Sequence, residues 1–228
     1  MLLDVEGTTT AISFVADVLF PFARQRMREA LAEGRPEGAL AAGVALLREE
    51  WEGDEKLREA IPDFGDGSDC ALALMDEDRK STGLKVIQGV LWEEGYRDGT
   101  LRAHVFDDVP EALRRWREAG LRIFVFSSGS VLAQELLFAH TERGDLGGLL
   151  DGHFDTTIGP KREPASYEAI AAMLGIAPAE VLFLSDVVAE LDAARAAGMR
   201  TALLERPGNA PVGDTDHPRY PDLASIPV

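Results

Sequence analysis

The sequence predicts an α/β fold, a parallel sheet covered by helices, with a helical domain inserted after the first strand. In the C-terminal half, short apolar runs alternate with helical patterns, which is the order that builds a parallel sheet. The stretch from about Ser13 to His104 differs, because it carries helical periodicity and no convincing strand. A chain of 228 residues can bury one core domain and a smaller second one. We therefore place the core at residues 1–12 and 105–228 and the insert at residues 13–104.

The first strand should lie in the middle of the sheet, yet only Met1 to Leu3 precede Asp4. A usual strand has about 5–6 residues. Either the strand is short or the native chain begins upstream of Met1, and we favour the second explanation. Within the insert, helices are predicted for "VADVLFPFARQRMREALAEG" and "STGLKVIQGVLWEEGYRDG", and the residues "PDFGDGSD" predict a loop.

The later strands and helices alternate along the core. Strands are predicted for "LRIFVFSSG", "EVLFLSD" and "MRTALL", which are rich in Val, Ile, Leu and Phe. Helices are predicted for "VPEALRRWREAG", "SVLAQELLFAH", "EPASYEAIAAMLG" and "AELDAARAAG", several of which end at a glycine. The Pro- and Gly-rich tail "RPGNAPVGDTDHPRYPDL" is predicted to be irregular.

The formal charge of −17 argues against non-specific binding to nucleic acid or to an anionic membrane, since both require a basic surface. The single cysteine, Cys70, excludes an intramolecular disulfide, and the N-terminal residues do not predict a secretory leader. No apolar run approaches the ~20 residues of a membrane-spanning helix, and the four histidines lack metal-ligand spacing. We therefore expect a soluble cytoplasmic monomer that acts on a small molecule.

Ligands of an open parallel sheet bind beyond the carboxyl ends of its strands. The residues predicted to collect at this edge are Asp4 and Glu6 after the first strand, Ser127, Ser128 and Gly129 after "IFVF", Lys161 in a loop, and Asp186 and Glu190 after "VLFL". Together they form a set that is suited to phosphoryl transfer, although each residue taken alone has an ordinary structural explanation.

Asp4 can attack a phosphoryl group and hold it as an aspartyl phosphate, although a strand-end Asp is more often a cap or turn residue. Glu6 can protonate the leaving oxygen and then deprotonate the attacking water. The alternative for Glu6, a solvated surface acid, fits poorly beside Gly7, which indicates close backbone approach or unusual backbone angles. Thr8 is expected to hydrogen-bond the acidic groups.

Asp186 provides the second carboxylate that Mg²⁺ requires. Glu190 can hold a metal-coordinated water, or it can simply be a favourable acid in the first turn of its helix. Ser127, Ser128 and the N–H groups that open the next helix can bind phosphate, although capping residues would look similar. Lys161 can offset the charge of the nucleophile and the phosphate, whereas most loop lysines are only solvated.

The stretches "DVEGTTT", "SSGS" and "SDVVAE", with the loop lysine, resemble in order the four motifs of the haloacid dehalogenase superfamily of phosphotransferases. That superfamily usually has Asp where Glu6 stands, and this variant is similar to the enolase-phosphatases of the methionine salvage pathway. Further matches to those enzymes span most of the chain: "DRKSTGLKVIQGVLW", "VFDDVPEALRRWREAG", "SSGSVLAQELLFAHTERGDL", "DGHFDTTIGPK" and "RPGNA". The resemblance implies a Rossmann-like core with an inserted helical cap domain.

The resemblance also implies a bifunctional enzyme that uses one Mg²⁺ and acts on 2,3-diketo-5-methylthiopentyl 1-phosphate. Such an enzyme enolises the diketone and then removes the phosphate, giving the acireductone 1,2-dihydroxy-3-keto-5-methylthiopentene. The roles implied by matching position are nucleophile and metal ligand for Asp4, metal ligand through its carbonyl and acid–base catalyst for Glu6, substrate binding for Ser128 and Gly129, phosphate binding for Lys161, and metal ligand for Asp186.

The predicted helix "STGLKVIQGVLWEEG" has an apolar side that we expect to pack the insert. Its other side carries Lys85, Gln88 and Trp92, and we expect this side to close over the active site. Trp92 would contact the methylthio end of the substrate, and Lys85 and Gln88 its diketone oxygens. On such a helix a lone Lys or Gln is more usually a solvated surface group.

Three other functions compete with this one. A generic Mg²⁺-dependent phosphatase of the superfamily would share Asp4, Lys161 and Asp186, but it would usually carry Asp at position 6 and an unrelated cap. A haloacid dehalogenase would keep the nucleophile without needing Mg²⁺ or Glu6. An interaction module on the same fold is conceivable, since fold does not fix function, but such a module would be free to lose at least one catalytic group.

Overall fold

The computed structural model describes residues 1–32 and 36–227. The chain divides into two compact units, a core unit of Met1–Val15 and Arg102–Val228 and a helical unit of Ala16–Leu101. The boundaries predicted from the sequence, after residues 12 and 104, each lie three residues from these divisions. The end of the first predicted insert helix, residues 33 and 34, and the last residue of the predicted core, Val228, lie outside the described residues.

The helices and strands follow one another in the α/β order that the sequence predicts. The strands are β1 (Leu2–Leu3), β2 (Phe124–Phe126), β3 (Gly152–Phe154), β4 (Leu182–Ser185), β5 (Arg200–Leu204) and β6 (Arg219–Tyr220). The α-helices are α1 (Ile12–Phe14), α2 (Phe20–Leu31), α3 (Gly38–Gly53), α4 (Glu55–Ala60), α5 (Ser68–Asp76), α6 (Thr82–Asp98), α7 (Val109–Glu118), α8 (Val131–Ala139), α9 (Pro164–Leu174) and α10 (Val188–Ala196). Within the described ranges, no helix is long and apolar enough to span a membrane.

The core unit is built on one sheet whose strands are all parallel, in the order β3-β2-β1-β4-β5-β6. β1 lies between β2 and β4, where Leu3 pairs with both Val125 and Leu184. Leu2 and Leu3 are fully buried. The short first strand is therefore held by neighbours on both sides, and it places the following residue, Asp4, at the centre of the sheet edge.

Helices α9 and α10 contribute buried side chains to the core of this unit. The ring of Tyr167 on α9 lies 5.5 Å from that of Phe126 and 5.1 Å from that of Phe183, measured between centroids. Leu191 on α10 is fully buried in the same cluster. The apolar runs and helical patterns of the sequence predict this packing, since parallel strands must be buried by helices.

Two strands of the sheet are missing from the sequence prediction. β3 follows a short 3-10 turn, and β6 lies in the tail that was predicted to be irregular. The prediction of an irregular tail is therefore wrong for Arg219–Tyr220, where the N–H of Glu205 donates to the carbonyl of Tyr220 at 3.0 Å. Neither short segment has an apolar strand pattern of its own, and each is held in the sheet by pairing with a neighbouring strand.

In the helical unit, α6 is buried on more than its apolar side. Gln88 and Trp92 are both buried, and the indole N–H of Trp92 donates to the carbonyl of Leu19 at 2.9 Å. The ring of Trp92 also lies 6.0 Å from that of Phe20. The predicted division of α6 into a packing side and a side left for a ligand is therefore too simple, because Trp92 is part of the packing of its own unit.

Glycine at position 83 is required for the close approach of α3 and α6. A Cβ atom at Gly83 would lie 2.7 Å from Cα of Leu47 and 2.8 Å from the carbonyl oxygen of Gly43, and both are backbone atoms that cannot move aside cheaply. We predict that Gly83→Ala lowers the free energy of unfolding by about 1–3 kcal/mol, as overpacking does elsewhere. Urea denaturation followed by circular dichroism would measure this change.

Gly53→Ala provides the matched control, since no atom lies within 4 Å of a Cβ built at this helical position. The better helix propensity of alanine should leave that variant unchanged or stabilise it by up to about 1 kcal/mol. Equal effects of the two substitutions would contradict the close packing of α3 against α6.

Candidate active site

The candidate site lies at the carboxyl ends of the central strands. Asp4 follows β1, Ser127 follows β2 and Asp186 follows β4, so parallel pairing brings them to one edge of the sheet. Asp4 is buried, with 4 % of its surface exposed. Its Oδ1 accepts a hydrogen bond of 2.7 Å from the backbone N–H of Val5. The loop that carries Asp4 therefore helps to orient the carboxylate, in addition to the contacts from distant residues.

Lys161 provides the positive charge of the site. Its Nζ lies 2.5 Å from Oδ1 of Asp4 and 2.6 Å from Oε2 of Glu190, and water has little access to the three side chains. Burial alone would lower the pKa of Lys161, but the charges and hydrogen bonds of the two carboxylates raise that pKa above its ordinary value. The hydroxyl of Tyr167 donates to the carbonyl of Lys161 at 2.7 Å. The lysine is thus kept protonated and held in place.

Glu190 contacts Lys161 and Ser185. Its Oε2 accepts from Nζ of Lys161 at 2.6 Å and lies 3.2 Å from Oγ of Ser185, which also lies 3.1 Å from Oδ2 of Asp4. Burial and the charge of Asp4 raise the pKa of Glu190 to about 7. The structure brings Glu190 to the site, as the sequence predicts, and shows that it is a partner of Lys161. Its predicted role toward a metal-bound water stays a prediction from the sequence.

Asp186 has one carboxylate oxygen with a protein partner and one without. Oδ2 accepts from Nδ2 of Asn209 at 3.1 Å. Oδ1 is buried and has no hydrogen-bond partner within the described ranges. Burial raises the pKa of Asp186 to about 6, and the negative charges of Asp4 and Glu6 act in the same direction. A cation would stabilise a carboxylate that has one buried oxygen without a partner.

The carboxylates fit a magnesium ion better than a metal that prefers nitrogen or sulfur. Among residues 1–32 and 36–227, no three His, Cys, Asp or Glu side chains are grouped to hold a metal. Mg²⁺ does not need such a group, because it is usually bound by one or two carboxylates together with water and substrate phosphate. The orphaned Oδ1 of Asp186 and the nearby Asp4 meet that requirement.

The loop from Asp4 to Thr10 turns sharply under the site. Gly7 has a φ of +71°, and a Cβ at this position would lie 2.5 Å from Cγ of Asp186. Glycine is thus needed both for the backbone angle and for the close contact with Asp186. The sequence predicts close backbone approach or an unusual backbone angle from the position of Gly7 directly after Glu6. The hydroxyl of Thr8 is buried without a partner in the described part of the chain. The prediction that it hydrogen-bonds the acidic groups is therefore wrong.

The serines after β2 form a turn that leads into α8. Oγ of Ser127 accepts from the N–H of Gly129 at 3.2 Å, and Oγ of Ser130 accepts from the N–H of Ala133 at 3.3 Å as the helix cap. The side-chain amide of Gln134 donates to the carbonyl of Gly129 at 2.9 Å. The N–H of Val131 also donates to Oδ2 of Asp155 at 3.2 Å, so two N–H groups in the first turn of α8 already have side-chain acceptors. Their contact with a phosphate stays a prediction from the sequence.

The other predicted binding residues belong to the helical unit. Lys85 is half-buried on α6, while Gln88 and Trp92 are buried, with the packing described above. Their contact with a substrate stays a prediction from the sequence.

Four residues of the site have no predicted role from the sequence: Ser185, Asn209, Arg206 and Gln134. Arg206 donates from Nε to the carbonyl of Thr8 at 2.9 Å and forms two hydrogen bonds with Asp108. Arg206 and Asn209 both lie in the stretch "RPGNA", whose family resemblance is the signal that the sequence offers for them, since their partners are far away in the sequence.

Known proteins share much of the sequence and the fold of this chain. A family model described as haloacid dehalogenase-like hydrolase matches residues 1–198. A protein of Synechococcus elongatus named enolase-phosphatase E1 is 52 % identical over 93 % of this chain and 90 % of that relative. A protein of the same name from Pseudomonas aeruginosa is 49 % identical over 100 % of this chain and 97 % of that relative. The crystal structure of the UTR4 protein of Saccharomyces cerevisiae is 33 % identical, with a TM-score of 0.82 over 99 % of this chain and 98 % of that one.

The raised pKa of Asp186 makes stability depend on pH when no divalent cation is present. The folded state holds the proton more tightly than the unfolded state, so this group favours folding below about pH 4 and loses that contribution as the pH rises through about 6. Asp186→Asn removes the titration. We predict that, from pH 4 to pH 8, the unfolding free energy of the variant gains about 1–2 kcal/mol relative to the unsubstituted protein, allowing for partial solvent exposure.

Urea denaturation at pH 4, 6 and 8 in the presence of a chelator would measure this difference. Glu118→Gln, which removes one exposed carboxylate on α7, is the control for the loss of a surface charge. A difference between Asp186→Asn and the unsubstituted protein that does not change with pH would show that Asp186 is not perturbed in this way.

Proposed function

We propose that this chain, which belongs to the enolase-phosphatase E1 family of haloacid dehalogenase-like hydrolases, is a bifunctional enolase-phosphatase of methionine salvage. It converts 2,3-diketo-5-methylthiopentyl 1-phosphate into the acireductone 1,2-dihydroxy-3-keto-5-methylthiopentene and phosphate. The observation that carries the phosphatase chemistry is the buried Asp4 held by Lys161 at 2.5 Å. The near full-length identity to proteins named enolase-phosphatase E1 carries the choice of substrate.

Asp4 is the nucleophile in this proposal. One carboxylate oxygen attacks phosphorus while the bond from phosphorus to the substrate oxygen breaks, leaving an aspartyl phosphate. Lys161 offsets the negative charge that gathers on Asp4 and on the phosphoryl oxygens. Glu190 contacts the ammonium group of Lys161, and the hydroxyl of Ser185 donates to the carboxylate of Asp4. Neither reacting group therefore has to reorient during the attack.

Glu6 is the acid–base residue. It protonates the leaving oxygen and then removes a proton from the water that attacks the aspartyl phosphate, which releases Asp4 and inorganic phosphate. Glu6 is exposed at the edge of the site, so a bound substrate can reach it. We assign the proton transfer of the enolisation step to the same side chain, because a glutamate reaches one methylene farther than the aspartate usual at this position.

Asp4, Asp186 and the backbone carbonyl of Glu6 would hold one Mg²⁺, which would offset negative charge on the phosphate when bound. The orphaned Oδ1 of Asp186 supports this assignment. Ser127, Ser128 and Gly129 would bind the phosphate through hydroxyl and backbone N–H donors.

Both activities can be followed in one sample. We predict that anaerobic incubation with the diketone phosphate and Mg²⁺ gives an enediol absorbance that rises no later than free phosphate, because enolisation precedes dephosphorylation. Asp4→Asn, which lacks the nucleophile, should release phosphate at least about a thousandfold more slowly. Release of phosphate without the enediol signal would instead indicate a generic phosphatase and would overturn the proposal.

The length of Glu6 can be tested separately from its acidity. We predict that Glu6→Asp slows enolisation and phosphate release by about tenfold or more, because the shorter side chain no longer reaches both protons, and that Glu6→Gln loses about 10²–10⁴-fold. Stopped-flow absorbance and a phosphate assay would measure the two steps, with the exposed Glu118→Asp as control. Near-normal rates of both steps in Glu6→Asp would show that the methylene is not needed.

A further inference from the structure

We propose that Asn209 is a positioning residue for the metal site, whose side-chain amide fixes the orientation of Asp186 and joins Asp186 to the loop that carries Asp4. The inference rests on the proposed function, because it concerns how the chain prepares its carboxylates for Mg²⁺. Asn209 does not itself contact the reacting atoms in this account. It acts through Asp186 and through the backbone of Gly7.

The amide of Asn209 uses both of its N–H groups. Nδ2 lies 2.8 Å from the carbonyl oxygen of Gly7 and 3.1 Å from Oδ2 of Asp186. One bond reaches the loop after β1 and the other reaches the residue after β4, so a single side chain connects the ends of two central strands. The opposite orientation of the amide would place its oxygen against two acceptors, which fixes the assignment of nitrogen and oxygen.

This arrangement decides which oxygen of Asp186 is left for a cation. Oδ2 is occupied by Asn209, while the buried Oδ1 has no partner within the described ranges. The carboxylate also lies against Gly7, where even a Cβ atom would be 2.9 Å from Oδ1. The amide and the glycine therefore confine Asp186 to one orientation, with a defined oxygen available.

Asn209 is itself held rigidly. Its backbone N–H donates to the carbonyl of Arg206 at 3.1 Å, closing a turn in which Gly208 has a φ of +90°. The side chain of Arg206 is 2 % exposed, pairs with Asp108, and donates from Nε to the carbonyl of Thr8 at 2.9 Å. The same turn thus holds two successive carbonyls of the Asp4 loop, those of Gly7 and Thr8.

An asparagine suits this position for a chemical reason. Both atoms opposite Nδ2 are acceptors, and one of them belongs to a carboxylate, so the position needs two donors without a negative charge. An aspartate would have no proton to donate and would repel Asp186. Groups that orient a metal ligand in this way typically change metal affinity by about 10–100-fold when they are removed.

The first test measures Mg²⁺ binding without substrate. We predict that Asn209→Ala and Asn209→Leu, the second of which keeps the side-chain volume, each raise the Kd for Mg²⁺ in isothermal titration calorimetry by about 10–100-fold. Thr215→Ala is the matched control, since it also removes one side-chain hydrogen bond from the C-terminal tail, the one accepted from the N–H of His217. It should bind Mg²⁺ as the unsubstituted protein does.

The second test needs no variant, because Asn209 is the one asparagine in the sequence. Labelling with ¹⁵N-asparagine therefore gives a single pair of side-chain amide resonances. We predict that titration with Mg²⁺ shifts this pair and that the shift saturates at the calorimetric Kd. Resonances that do not move, or folded variants with the Kd of the unsubstituted protein, would overturn the role of Asn209.

The two tests separate this inference from the proposed function. If the unsubstituted protein binds Mg²⁺ and carries out both reactions while Asn209→Ala binds the metal equally well, the role of Asn209 fails alone. If the unsubstituted protein does not bind Mg²⁺ at all, the proposed metal site fails, and the role of Asn209 fails with it.

Discussion

Asp4 and Lys161 form a buried ion pair whose partners come from several distant segments of the core unit. A buried carboxylate and a buried ammonium group are tolerated only when each is paired and hydrogen-bonded. Here the pairing needs Lys161 from a distant loop, Glu190 from α10 and Ser185 from β4, each in contact within 3.2 Å. Loss of Lys161 would leave uncompensated negative charge inside the protein, so the positions of these segments depend on one another.

The same region holds more negative than positive charge. Asp4, Asp186 and Glu190 surround one lysine. Burial, together with the negative charge of Asp4, raises the pKa values of Asp186 and Glu190 to about 6 and about 7. The excess of negative charge therefore makes the site suited to bind a cation, together with a phosphate that the cation can contact. Unsatisfied charge at such a site lowers the stability of the folded state, as is common at functional sites.

Much of the fold could be predicted because it is local. Parallel strands are read from apolar runs, and helices from their periodicity and their terminal glycines, so most of the core follows from patterns within a few residues. The candidates Asp4, Ser127 and Asp186 could be predicted for a related reason, since each ends such a run. The two-residue strand β6 could not, because its pairing with β5 supplies the order that its own residues lack.

The α/β core with its helical insert, the acidic residues at the strand ends and the family are all predicted from the amino-acid sequence. The partners of the side chains come from the folded structure: Glu190 contacts Lys161, the hydroxyl of Thr8 has no partner among the described residues, and Asn209 bridges Gly7 and Asp186. These partners are far apart along the chain. Asn209 and Gly7 are 202 positions apart, and no local pattern records which distant acceptors a side-chain amide will meet.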